Sequence, residues 1–410
     1  MAVVNKSAAG SVLQEMIADD PHSVAAYDGN PTVALAKKIK VGGGHPTNVN
    51  GMYVFEIQHE TGDNTSYTPE IALLKRNVFQ KVRFTCGTVE SFNALNLSFK
   101  ALREVTDEHA FVDLLTNVKK DLDSDAGEEA ERGMFKHEGN ALGQVGSFSG
   151  STLTLKNPAD ISKFKIGSRI RTSASNGLTG SLRPGVGHVI GRDENAGTLK
   201  FANDVTAELP NIANNDYIFM DGSFGNGRQG LPSWIPDDPP SSSDNFNGVN
   251  RSVNVQRLAG HRITASGGDI ATALRAACAA IRRSGAKGTD VAVMSVDMRA
   301  AFCEQQEQKV HYETLSASDV EVGIDVISFN ALGMKLKLVD SWACPDDRIY
   351  LFQKSELEII HSTRGLVELV DDDGAVLSRN NENYDFDIRT YSVYNYVLRK
   401  LHNACVIKFS

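Results

Sequence analysis

The sequence predicts an α+β protein built from more than one unit, and three observations predict it. One helical pattern runs over residues 106–139, a series of short strands separated by glycine, asparagine and aspartate follows it, and helices alternate with strands through the last third. At 410 residues the chain exceeds the size at which one hydrophobic core keeps growing, so two or more domains are expected.

Residues 1–41 carry one short amphipathic stretch, Val12, Leu13, Met16 and Ile17, halted by Asp19-Asp20-Pro21, and read as an arm. From Gly42-Gly43-Gly44 to Pro69 the chain is polar and rich in turns, broken by an alternating segment at 52–57. Gly62-Asp63-Asn64 supplies a turn signal, so a long hairpin or flap is expected, of a length that is usually functional. Residues 78–88 read as a strand, with Phe79, Val82 and Phe84 apolar.

In the helical pattern Phe111, Leu114, Leu115, Val118, Leu122, Ala126, Ala130 and Met134 share one face, and the opposite face is charged. Thr106 is placed to cap it, Asp107 and Glu108 complement the helix dipole, and Gly139 is the expected stop. About 30 residues at 1.5 Å each make roughly 45 Å, well beyond an ordinary helix. The interior Gly127 and Gly133 weaken it by up to about 1 kcal/mol each.

Short strands are expected at 151–155, 167–172, 187–190, 198–201 and 216–220, as a small sandwich or barrel over about 148–222. Asp193-Glu194-Asn195-Ala196-Gly197 turns one of its hairpins. The proline- and serine-rich residues 235–243 read as an exposed linker. Beyond them, Gly267-Gly268-Asp269 opens a helix with Ile270, Leu274, Ala277, Cys278 and Ile281 on one face, closed by Ser284-Gly285. A buried strand at 291–294 and a helix at 297–305 follow. Further strands are expected at 324–328, 334–339 with Lys335 and Lys337 facing out, 349–352, and a half-buried one over 384–401.

Chemistry is hard to find in this chain. The formal net charge of -9 argues against tight direct binding of nucleic acid, which needs lysine and arginine to displace counterions. Cys86, Cys278, Cys303, Cys344 and Cys405 are scattered, with neither disulfide nor zinc spacing. The glycine-rich residues 222–230 (GSFGNGRQG) lack the Gly-Lys-Ser/Thr ending of a phosphate loop and lead into Leu231-Pro232. Asp371-Asp372-Asp373-Gly374 lacks the alternating ligands of a calcium loop and reads as a solvated turn. The ten histidines form no H-E-x-x-H, and no Gly-x-Ser-x-Gly elbow occurs. There is no apolar run long enough for a membrane span and no basic-then-apolar leader, so synthesis and use in a cytoplasm are expected. No catalytic, cofactor-binding or metal-ligating residue is therefore assigned.

The order of parts, an arm, an extended flap, a long helix, then a compact α+β body ending in a strand beside the helix, resembles the major capsid protein of tailed bacteriophages, the Hong Kong 97 type. Asn215-Asp216-Tyr217-Ile218-Phe219 with Gly230-Leu231-Pro232-Ser233-Trp234-Ile235 looks like the junction where such coat proteins leave an inserted β domain. Residues 290–302 (DVAVMSVDMRAAF), 333–339 and 384–399 are similar to its apical and final peripheral segments. The resemblance implies a division into an N-terminal arm (1–41), an extended loop (42–76) and a first peripheral part (77–147) with a spine helix at about 106–138. It continues with an inserted small all-β domain (148–222), a peripheral return with an exposed loop (223–268), an apical domain (269–378) and a C-terminal peripheral strand (379–410).

By the same resemblance the chain is a major capsid protein that associates with itself as hexamers and pentamers. The icosahedral shell is assembled in the host bacterial cytoplasm and encloses double-stranded DNA without sequence-specific contacts or a membrane. Scaffolding, portal and decoration proteins are the further partners implied. Gly42, Gly43, Gly44, Tyr53, Phe55 and Tyr67 are the implied intersubunit contacts. The acidic face of the helix is expected at such a contact or towards the lumen, where negative charge discourages sticking. Two features depart from some family members. No lysine lies between Val41 and Leu74, with Lys75 only at the loop base, which argues against isopeptide cross-linking; and only residues 1–41 precede the flap, which argues against a built-in scaffold segment. The alternatives are an encapsulin-like compartment shell, which typically lacks so large an insertion, and an α/β enzyme with a β accessory domain.

Overall fold

A computed structural model describes residues 29–41, 48–49, 52–61, 68, 79–97, 108–306, 327–362, 366–370, 377–379 and 386–409. The stretch Val12 to Ile17, the glycines 42–44, the turn at 62–64, Tyr67, Lys75, the cap Thr106 and the turn at 371–374 lie outside the described residues.

The helical pattern is realised as one helix, Glu108–Met134, about 40 Å long at 1.5 Å per residue. Val118, Leu122, Ala126, Ala130 and Met134 are buried, as their spacing requires. The helix ends before the expected stop at Gly139. Its last turn tightens, with Phe135 N–H donating to Arg132 O and Lys136 N–H to Gly133 O. The physical reason is a crossing chain: Gly227 N–H donates to Glu138 O, and a Cβ on Gly230 would stand 2.5 Å from Met134 O and 2.6 Å from Gly133 O. Gly139 serves elsewhere, since a Cβ there would collide with Asn176 O of a neighbouring loop.

The sheet beneath the helix is organised on Phe386–Leu398. Val89–Leu97 lies antiparallel along it from Leu97 opposite Phe386 to Val89 opposite Tyr394. Leu377–Arg379, Glu368–Leu369 and Leu357–His361 pair with it in turn. Lys37–Lys40 then adds in parallel to Leu357–His361 at the edge. Met52–Thr61 and Phe79–Cys86 form the stem of the expected hairpin.

Six antiparallel strands close into a barrel in the order Thr198–Phe201, Thr152–Leu155, Gly143–Ser149, Tyr217–Met220, Arg169–Ser173, Gly187–Asp193. Its interior holds Val145, Leu153, Phe164, Ile170, Leu199, Phe201 and Ile218. It begins at Gly143, ahead of the expected 148, because Gly143 and Gly146 interrupt the alternation a strand would show. A Cβ on Gly146 would come 3.0 Å from Leu155 O, so the partner strand demands the glycine. The turn at 193–197 forms as expected, with Asp193 Oδ1 accepting from Asn195 and Ala196 N–H and Gly197 at φ +61.

A second six-stranded sheet runs His261–Ala265, Cys405–Phe409, Arg348–Phe352, Val291–Met294, Met334–Asp340, Ile327–Ala331. Alternation splits it between two cores. Ala292, Met294, Ile349, Leu351, Cys405 and Ile407 face the helix cluster that contains Ile270, Leu274 and Phe302. Val291, Val293, Tyr350, Phe352 and Val406 face the long helix and hairpin core. Asp269 caps Ile270–Arg283 by accepting from Thr272 N–H. The C-terminal residues, expected to supply one strand, supply two in different sheets. Cys405–Phe409 pairs in parallel with His261–Ala265, and neither five-residue strand carries a long enough pattern to be read alone.

Gly133 is explained by this packing. Tyr396 is fully buried and donates its hydroxyl to Ala130 O at 2.7 Å, and a Cβ on Gly133 would lie 2.6 Å from that hydroxyl. Gly133→Ala should therefore destabilise the protein by about 1–3 kcal/mol through overpacking, although the helix itself would gain up to about 1 kcal/mol. Gly230→Ala, which meets backbone carbonyls on three sides, should cost more. Urea unfolding of both variants against the parent checks the order.

Candidate functional site

Four segments meet at the C-terminal end of the long helix: the hairpin stem, the residues 223–262 that return from the barrel, the sheet under the helix, and the short helix Pro31–Leu35. The glycine-rich run once open to a phosphate-loop reading enters here and delivers Arg228, which is 8% exposed. Its guanidinium sits 3.7 Å from the Tyr394 ring centroid and donates to Glu129 Oε1 at 2.7 Å and Ser91 Oγ at 2.6 Å. Burial pulls the Glu129 carboxyl up, but the charge and hydrogen bond of Arg228 outweigh it and hold the group below its usual range. Gln229 follows, with its N–H on Asn395 Oδ1 and its amide exchanging hydrogen bonds with Asn247.

Further along, Trp234 is 1% exposed and donates to Tyr396 O at 2.9 Å. It packs 6.0 Å from Phe55, 5.8 Å from Phe84 and edge-on to Phe246 at 4.9 Å, while Phe55 stacks on Phe84 at 5.3 Å. Such pairs add about 0.5–1.5 kcal/mol each beyond area burial. The linker beyond Trp234 is tied down by Arg348, which forks onto Asp237 at 2.6–3.0 Å, and by Arg251 on Asp244. Composition predicts an exposed loop there, and Asp238, Pro239, Ser241, Ser242 and Ser243 fit that description, whereas Ile235 is buried and Pro236, Asp237 and Pro240 are half-buried.

Tyr53 and Phe55, expected as intersubunit contacts, are 2% and 4% exposed inside their own chain. Tyr53 donates to Glu358 at 2.7 Å; burial and this carboxylate push its hydroxyl pKa up. These two side chains anchor the hairpin to the body and leave no surface for a neighbour. The alternating pattern is right, but its apolar side turns inward because Trp234 and Phe84 form the wall it meets. Gly42, Gly43, Gly44 and Tyr67 lie outside the described residues.

The acidic face of the helix is also drawn partly inward. Asp125 and Glu128 pair with Lys165 of the barrel at 2.7 and 2.8 Å, and Glu129 is taken by Arg228. Glu131, which no pattern singles out, is fully buried and accepts from Thr32 N–H at 3.2 Å, Val33 N–H at 2.9 Å and Ser341 Oγ at 2.5 Å. It fastens the N-terminal segment to the helix and to the end of a central strand. A charged residue in a helix stripe of alanines was its one signal in the sequence. Burial raises its pKa against those hydrogen bonds.

Among the described residues of the junction, Glu129, Glu131 and Glu358 each serve a structural partner. Burial raises the thiols of Cys86, Cys278, Cys344 and Cys405, which makes them poor nucleophiles. Among the described residues no group of three or more His, Cys, Asp or Glu is placed to hold a metal ion, and no helix is long and apolar enough to cross a membrane.

Arg228→Ala should lower stability by about 1–3 kcal/mol, chiefly through the lost cation on the Tyr394 ring and the lost hydrogen bond to Ser91, since Glu129 is 41% exposed and can be solvated in its place. Chemical denaturation checks this. Glu131 has a folded pKa above the unfolded one, so its contribution is complete below about pH 4.5 and is lost as pH rises through the folded value. Relative to Glu131→Gln, the parent should therefore lose stability from about pH 4.5 upward and reach a constant difference at higher pH. Urea midpoints of both proteins from acid to neutral pH test it.

No protein-family model matches the sequence, and no curated protein matches it. Solved structures do match. The capsid subunit in the cyanophage A-1(L) capsid asymmetric unit is similar over 92% of this chain and 92% of its own, at 11% identity and a TM-score of 0.51. The capsid of a native GTA particle matches over 95% of this chain and 91% of its own, at 9% identity and a TM-score of 0.46. The SrpI encapsulin of Synechococcus elongatus PCC 7942 matches over 93% and 88%, at 9% identity and a TM-score of 0.41. The cyanophage likeness establishes the architecture: this chain has the fold of a phage major capsid protein.

Proposed function

We propose that the protein is the major capsid protein of a tailed double-stranded DNA phage, associating as hexamers and pentamers into an icosahedral shell around the genome. The observation that carries this reading is the capsid-protein fold shared with the cyanophage subunit over nearly the whole of both chains. Three features support it. The described stem of the hairpin is fixed to the body through Tyr53, Phe55 and Phe84, as a rigid base for a contact loop would be. The long helix is locked at its C-terminal end by Arg228, Glu131 and Tyr396, which suits a beam that carries load across a shell subunit. The net charge of -9 suits a wall that encloses DNA without adhering to it.

In this reading the hairpin is the extended loop, the long helix the spine, the helix-covered sheet the apical domain, and the barrel at 143–220 an inserted domain. The glycines 42–44 and Tyr67 remain the proposed contacts to neighbours, while Tyr53 and Phe55 hold the loop to its own subunit. A compartment shell would share the fold; the barrel favours the phage reading, because encapsulin-like shells typically lack so large an insertion.

Electron microscopy of the purified protein, alone and with the scaffolding protein, should show hexamers, pentamers or closed particles. A monomer under every condition would overturn the proposal, and particles filled with an enzyme in place of DNA would favour the compartment. Replacing residues 64–76 by a short Gly/Ser turn should abolish particle formation while the subunit still folds cooperatively, because the buried stem residues Tyr53, Phe55 and Phe84 lie outside the replaced stretch.

A further inference from the structure

A groove of about 740 Å³ lies between the long helix and the barrel, a volume suited to several side chains. Arg132 of the helix, Ile161, Ile166 and Arg192 of the barrel, and Trp342 line it, and Gly29 stands at its mouth. Ile166 is 65% exposed and Ile190, on the adjoining strand, 57%. Gly167 N–H donates to Val189 O, which holds the two isoleucines close together. On a small closed barrel, neighbouring exposed isoleucines beside a half-buried tryptophan mark a surface meant to be covered.

We propose that the cover is the chain's own N-terminal stretch, with Val12, Leu13, Met16 and Ile17 seated in the groove. The described chain begins inside it: Gly29 and Asn30 line the wall, and Trp342 Nε1 donates to Asn30 Oδ1 at 3.4 Å. The eleven residues between Ile17 and Gly29 can span up to about 40 Å, ample to fold back into the groove at whose wall Gly29 stands. That segment contains one cluster of apolar residues at helical spacing, with Glu15 and Asp19 beside it. The charges around the groove, Arg132, Lys165 and Arg192 against Asp125, Glu128 and Glu194, are paired with one another, so apolar contact with the isoleucines is what would seat the segment. Arg132 lies over the Trp342 ring at 5.9 Å, and the indole, half-buried against the core, presents its remaining edge to the groove.

Trp342 reports on the groove, and the other tryptophan, Trp234, is buried and silent. In the full-length protein, replacing Val12, Leu13, Met16 and Ile17 together by serine should shift Trp342 emission to the red and raise its quenching by acrylamide. An unchanged spectrum and quenching constant would overturn the proposal. The second measurement pairs Met16→Cys with Ile166→Cys under mild oxidation, with each single variant as control. A disulfide within one chain at high dilution is the expected product; cross-links only between chains, or none, would show that the groove belongs to another copy or to no segment of this protein.

Discussion

The whole architecture depends on how the last turns of the long helix are seated on Tyr394 and Tyr396. Tyr396 reaches between two turns to hold Ala130 O, Gly133 vacates the space for its ring, and Arg228 closes over Tyr394 to reach Glu129. Along its last turns the helix buries Ala126 and Ala130 before Met134, and alanine buries too little area to fix the position of a helix by itself. Buried hydrogen bonds to carbonyls and a guanidinium clamp supply the specificity that apolar contact lacks, because each leaves a costly orphan if the helix slides.

From that seat the other parts take their places. The return segment must cross the helix end closely, so it is glycine-rich at Gly227 and Gly230. The crossing sets Trp234 against the sheet, and Trp234 becomes the wall on which Phe55 and Phe84 fasten the hairpin. Glu131 ties the incoming chain at Thr32 and Val33 to the same turn. Among the described residues these ties gather at the C-terminal end of the helix. A locked hub of this kind is what the proposed shell requires, since stability on assembly then comes from interface burial beyond the hub.

Some readings of the sequence survived and others did not, for identifiable reasons. The long helix, the hairpin stem, the turn at 193–197 and the capped helix at Ile270–Arg283 were legible because each depends on local periodicity or on a side chain bonding its own backbone. Gly139 misled, since a glycine after a helical run looks like a stop, whereas this one admits Asn176 O from the barrel loop. Tyr53 and Phe55 misled too: alternation shows that one face is apolar and cannot show whether it meets the same chain or another. Arg228 and Glu131 had almost no signal, because an arginine in a glycine loop and a glutamate in an acidic helix are ordinarily solvated.

By itself, then, the sequence determined the α+β class, the order of elements and the presence of an all-β unit between the long helix and the last third. These follow from periods of 3.6 and 2 and from turn chemistry, which act over a few residues. Only the tertiary structure decided that the five expected strands and a sixth, Gly143–Ser149, close into a barrel, that Cys405–Phe409 and Phe386–Leu398 part into different sheets, and which charged groups are buried. Those outcomes depend on contacts between residues far apart in the chain, such as Glu131 with Ser341 and Arg228 with Ser91, and no local pattern encodes the partner of such a pair.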